Sequence, residues 1–203
     1  MKKIISIVLI GFGILGFGQK TNVVKKTKKT TKTTVKKVIP VPTEVTTTAT
    51  ATTMTAEEKA KKAAEEKASL PKPYHPEENA EEKINTLVAQ AQKENKNIIL
   101  QAGGNWCIWC LRFNKFVLDT PELKSIVDNN FLYYHLNYSP DNKNEKIFEK
   151  YGNPGAKFGY PVFIVLDKNG KLIHVQDSSV LESGSGYSKE KVKDFFSQWV
   201  PKS

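Results

Sequence analysis

Apolar and polar positions divide the chain near Tyr74. Upstream, one apolar run, Ile4 to Phe17, follows Met1-Lys2-Lys3, and no aromatic side chain occurs between Gln19 and Pro73. Downstream the pattern becomes periodic. Ile84, Leu87, Val88 and Ala91 fall on one face at helical spacing, which predicts a packing helix ending near Asn97. Ile98-Ile99-Leu100 is a short apolar run suited to a central strand, stopped by Gly103-Gly104. Cys110, Phe113, Phe116 and Val117 return to helical intervals from Cys107 to about Leu118, and a short helix is expected over Glu122 to Asp128. Phe131 to Tyr138 reads as a strand, Glu145 to Tyr151 as a helix, and Val162 to Leu166 as a buried strand. Asp167-Lys168-Asn169-Gly170 is a hairpin turn leading into Leu172 to Gln176. Ser188 caps a last amphipathic helix carrying Val192, Phe195, Phe196 and Trp199. Gly152 to Gly155 and Gly184 to Gly186 read as loops, since neither precedes a helix as a phosphate-cradling motif would. This order predicts an α/β domain over 74–203, a mixed sheet with helices on both faces.

The N-terminal third follows other rules. Its charged start and apolar run of 14 residues have the layout of a secretory signal peptide over 1–18, with Gly16 and Gly18 placed for a cut before Gln19. The run is short of the roughly 20 residues that span a bilayer; an uncleaved anchor is the alternative. No Cys follows it to carry a lipid. Residues 19–55 contain 14 Thr and 8 Lys, a composition that cannot bury enough surface to offset the entropy of ordering, so 19–73 is read as a disordered tether. Within it, strong helix formers over 56–68, with Thr55 as cap and Glu58 four residues before Lys62, predict an exposed helix without a packing stripe, ending before Pro71 and Pro73.

Charge follows the same division. Residues 1–73 hold 15 Lys against 5 acidic residues, while 74–203 hold 16 basic and 16 acidic, so the net +10 belongs to the tether. The folding part has no basic surplus, which argues against nucleic-acid binding by the domain. Two cysteines in all exclude a multi-disulfide scaffold and an iron–sulfur cluster.

Those two stand in Trp106-Cys107-Ile108-Trp109-Cys110, where a strand turns into a helix. At a helix N-terminus the unpaired N–H groups and the macrodipole stabilise an anion, so Cys107 is expected to be the thiolate nucleophile. Cys110, one turn deeper, is placed to attack a mixed disulfide and release the partner. A zinc site would need two more ligands, but His75, His135 and His174 lie far apart without ligand spacing. A structural disulfide is a second alternative, though so tight a loop removes little chain entropy. Neither a metal nor a cofactor is called for. Trp109, between the thiols, and Trp106, beside them, are read as a semi-exposed platform for a partner, and Arg112 as a solvated helix residue. A thiol peroxidase would need polar groups around the first Cys that the sequence does not suggest.

With Gly159-Tyr160-Pro161 directly before Val162-Phe163-Ile164, some fifty residues after the cysteines, the chain resembles the thioredoxin superfamily. It is more similar still to exported thioredoxin-like proteins with an aromatic between the cysteines, over roughly residues 80–200. The resemblance implies a thioredoxin-like fold, a cis Pro161 beside the disulfide, and a Tyr160 backbone able to pair with an extended substrate. In thioredoxin a buried carboxylate six residues before the first Cys assists the second thiol; here that position is Gln101, so Cys110 must lose its proton to water or another group. No histidine separates the cysteines, which points to a reducing to intermediate potential. The expected function is an exported, periplasmic or otherwise extracytoplasmic thiol–disulfide oxidoreductase, more a reductant than an oxidant. Its partners would be disulfide-containing or dithiol proteins and a membrane thiol-electron donor. A non-catalytic thioredoxin-fold binding module is the competing expectation.

Overall fold

The computed structural model describes residues 55–202; the signal peptide expected at 1–18 and the tether residues 19–54 lie outside them. Helix α1 (Ala56–Ser69) begins with a capping box, in which the Thr55 hydroxyl accepts from the Glu58 amide and the Glu58 carboxylate accepts from the Thr55 amide. Asn79 caps α2 (Ala80–Glu94), and Asn95 closes it in the left-handed conformation at φ 51°.

Strand β1 (Asn97–Gly103) is buried along its whole length, because it lies inside the sheet with helices on both faces. It pairs in parallel with β2 (Phe131–Asn137) and antiparallel with β3 (Val162–Leu166), which turns back into β4 (Leu172–Asp177). The order is β2-β1-β3-β4. Between β1 and β2 come α3 (Ile108–Asp119) and α4 (Pro121–Asn130), and between β2 and β3 come α5 (Glu145–Lys150) and α6 (Pro154–Phe158). The chain closes with a small hairpin, β5 (Glu182–Ser183) and β6 (Gly186–Tyr187), and α7 (Lys189–Gln198).

Alternation along β1 sorts the core. Ile98, Leu100 and Ala102 join Ile84, Leu87 and Ala91 of α2 on one face, whereas Ile99 joins Phe113, Val117, Phe163, Val192, Phe195 and Phe196 on the other. Buried apolar side chains of this size contribute about 1.5–3 kcal/mol each, so α7, anchored by Val192, Phe195 and Phe196, is fixed by packing more than by its Ser188 cap.

The α/β expectation is met, with three local corrections. Pro154 and Gly155, the end of the segment read as loop, open α6, because Pro154 supplies the φ of a first helical position and is buried. The Gly184–Gly186 loop is the turn of the β5–β6 hairpin. Helix α1 has no buried residue, as expected of an exposed helix, but Ala63, Glu66 and Lys67 are half-buried and Leu70 just after it is buried, so ordered, docked structure begins upstream of residue 74.

Candidate functional site

The chain leaves β1 at Gly103 and reaches Cys107 through a tight turn in which the Cys107 amide donates to the Gly104 carbonyl at 3.0 Å. Cys107 is the N-cap of α3, with extended backbone at φ −91° and ψ 105°. Its sulfur accepts the Cys110 amide at 3.1 Å, the bond a capping oxygen would accept elsewhere. The two cysteines form a disulfide with Cα atoms 5.3 Å apart.

Cys110 is fully buried and Cys107 is 6 % exposed, so the first thiol is more covered than an outward-facing helix start implies. The cover comes from residues the sequence assigns to the tether and its edge. Leu70 and Tyr74 join Cys107, Cys110 and Leu111 in one small cluster, flanked by Trp109 and Tyr160. The Tyr160 carbonyl oxygen lies 3.6 Å from Cys107 Sγ, and the Tyr160–Pro161 peptide is cis. Lys67 Nζ donates to the Trp106 carbonyl at 3.3 Å, bringing a positive charge to the turn that carries Cys107.

The two tryptophans divide. Trp106 is 47 % exposed; its indole N–H donates to the Tyr138 carbonyl at 2.6 Å and its ring meets Tyr160 edge-on at 5.6 Å. With Tyr138, Ser139, Pro140 and Lys143 it lines an open hollow of about 350 Å³ beside the disulfide turn. Trp109 is half-buried, in keeping with the semi-exposed position expected, and packs edge-on against Tyr187 with the Arg112 guanidinium 5.1 Å from its ring centre. Arg112 is itself held by Glu66, through bonds of 2.7 and 2.6 Å, and is not the freely solvated residue expected.

Gln101 is fully buried and every polar atom of its amide is bonded. It donates to the Tyr74 hydroxyl at 2.8 Å and the Cys110 carbonyl at 2.9 Å, and accepts from the Tyr133 hydroxyl at 2.7 Å. Burial pushes the Tyr74 and Tyr133 phenols well above their ordinary range and Tyr160 up to about 12. Sequence reasoning missed Tyr74, Glu66 and Lys67. An aromatic in the Pro71-Lys72-Pro73-Tyr74-His75-Pro76 stretch was the only signal for the first. No group of three or more His, Cys, Asp or Glu side chains suited to a metal occurs among the described residues.

Residues 79–168 match a family described as thioredoxin-like. The domain has a thioredoxin-like fold. The disulphide isomerase of Xylella fastidiosa Temecula1 is similar to it, with 22% identity and a TM-score of 0.56, over 64% of this chain and 98% of that one. The oxidised C-terminal domain of Neisseria meningitidis DsbD is similar at 19% identity and a TM-score of 0.43, over 59% and 95% of the two chains. No curated protein matches the chain by sequence. The thioredoxin-like domain thus has the mixed sheet, flanking helices and bonded Cys-x-x-Cys pair that the sequence led one to expect.

Proposed function

We propose that the chain is an exported thiol–disulfide oxidoreductase acting on extracytoplasmic proteins, more a reductant than an oxidant. The observation that carries the reading is the placement of Cys107: its sulfur caps α3, takes the Cys110 amide, and stands beside the Tyr160 carbonyl. In the reduced protein the Cys107 thiolate attacks a substrate disulfide, one substrate sulfur leaves with the electron pair and a proton, and a mixed disulfide remains. Cys110 then attacks Cys107 Sγ, expelling the second substrate thiol and closing the Cys107–Cys110 bond. The substrate gains two electrons and the protein loses two. Regeneration calls for a dithiol donor outside the cytoplasm, and a membrane-embedded thiol carrier meets that need. The Met1–Phe17 layout supports export, and the lack of a histidine between the cysteines supports the reducing direction.

The test is insulin reduction with dithiothreitol as donor. Cys107→Ser abolishes turnover, and Cys110→Ser accumulates covalent mixed disulfides. Turnover that survives in both variants would overturn the reading. A wild-type chain that binds partners but never reduces insulin is instead the non-catalytic binding module.

A further inference from the structure

Tyr74 precedes the residues that match the thioredoxin-like family, yet it is 2% exposed and lies in the cysteine cluster. Asn105, from the turn before Trp106, grips its backbone on both sides: the Tyr74 amide donates to Asn105 Oδ1 at 3.2 Å, and Asn105 Nδ2 donates to the Tyr74 carbonyl at 2.7 Å. The Cys110 carbonyl can only accept, which fixes the Gln101 amide with its nitrogen toward Tyr74. One Tyr74 oxygen lone pair is thereby taken. The hydroxyl hydrogen is left with no oxygen or nitrogen acceptor among the described residues.

That hydroxyl and Cys110 Sγ both border Gly103. A Cβ built on Gly103 would fall 2.5 Å from the sulfur and 3.0 Å from the Tyr74 oxygen, so both atoms adjoin the same bare α-carbon. In the closed disulfide the sulfur is neutral and a weak acceptor, and no hydrogen bond joins the pair. Opening the disulfide puts a thiol there that must ionise to react.

We infer that in the reduced protein the Tyr74 hydroxyl, aimed by Gln101 and Asn105, donates a hydrogen bond to Cys110 Sγ and stabilises its thiolate where no carboxylate is present. This rests on the exchange reaction proposed above. The Cys110 proton passes to water and the thiolate attacks Cys107 Sγ. The bond to the substrate sulfur breaks, and the departing thiolate takes a proton from water as the Cys107–Cys110 bond forms. The Tyr74 proton stays on its oxygen, because burial holds the phenol neutral across the range in which a thiol ionises. The titratable groups around this spot are Cys107 at the α3 cap, Tyr133 and His135 on β2, and Tyr187 on β6, with Lys67 at the Trp106 carbonyl. Burial raises both further phenols and holds His135 down at about 4, so these three are uncharged near neutral pH.

The experiment uses the full chain carrying Cys107→Ser, in which Cys110 is the only thiol, and follows the Cys110 carbon-13 β resonance against pH. Adding Tyr74→Phe, which keeps the ring, raises the midpoint by about one to two pH units, the size of one hydrogen bond to a charged group. Tyr133→Phe removes a hydroxyl from the other end of Gln101 and leaves the midpoint in place. With Cys107 restored, Tyr74→Phe slows resolution of a mixed disulfide about three- to tenfold. An unchanged midpoint in Tyr74→Phe overturns the inference, as does an equal shift in Tyr133→Phe, which would mean general loosening of the network. Should Tyr74→Phe fail to fold, the Tyr74 ζ-carbon resonance in the Cys107→Ser chain must follow the Cys110 titration, and its indifference overturns the inference. Failure of the wild type to reduce insulin sinks the exchange reaction instead and leaves the titration result standing.

Discussion

Glu66 on α1 holds the Arg112 guanidinium on α3 with both carboxylate oxygens, while the same guanidinium covers the face of Trp109. The pair ties the N-terminal helix to the helix that carries the cysteines. With side chains 22% and 38% exposed, it contributes no more than about 1 kcal/mol. The hydrogen bond from Arg112 holds the Glu66 carboxyl below its ordinary value of 4.5, so the contribution is full above that value and is lost as pH falls through the lowered one. Urea denaturation of Glu66→Gln beside the parent shows the deficit at pH 7 and its disappearance in strong acid.

His135 carries the opposite sign for its charged form. Burial, with no partner for Nε2 among the described residues, pushes its pKa down from 6.5 to about 4, so the folded state resists protonation that the unfolded chain accepts. Stability is full above about 6.5, falls as pH drops toward 4, and levels off below, a loss on the order of 3 kcal/mol. In His135→Gln that part of the pH–stability curve flattens, which equilibrium denaturation at several pH values measures.

Gly103 is required by close approach. Gly103→Ala places a methyl 2.5 Å from Cys110 Sγ and 3.0 Å from the Tyr74 hydroxyl, and both belong to packed groups that cannot swing away. The expected cost is about 1–3 kcal/mol, read as a lowered thermal midpoint of the oxidised protein.

Trp106 separates recognition from chemistry. Trp106→Ala removes the exposed wall of the hollow shared with Tyr138 and Pro140 but neither sulfur. Protein-disulfide reduction loses about tenfold in kcat/KM, carried mostly by KM, while the rate with a small aromatic disulfide changes less than twofold.

The sheet was legible because its rules are local: Ile98-Ile99-Leu100 and Val162 to Leu166 are apolar runs bounded by glycine and turn residues, and both became inner strands. The cysteine pair was legible for the same reason, since spacing and position within the strand-to-helix turn lie in a few consecutive residues. Leu70 and Tyr74 were not, because a short segment flanked by prolines reveals its burial only through partners distant in sequence, Asn105 and Gln101. The surroundings of Trp109 were hidden for a related reason: Arg112 lies over its ring and is positioned by Glu66 across 46 residues of chain.

The docking of Leu70 and Tyr74 bears on where the protein can be cut. A fragment starting at residue 79, where the family match begins, would keep all four strands of the main sheet and the dithiol but strip one wall from around Cys110 and Leu111. Its sulfur would meet water, and its redox behaviour would describe a different molecule; a useful recombinant boundary lies before Thr55, ahead of the α1 capping box.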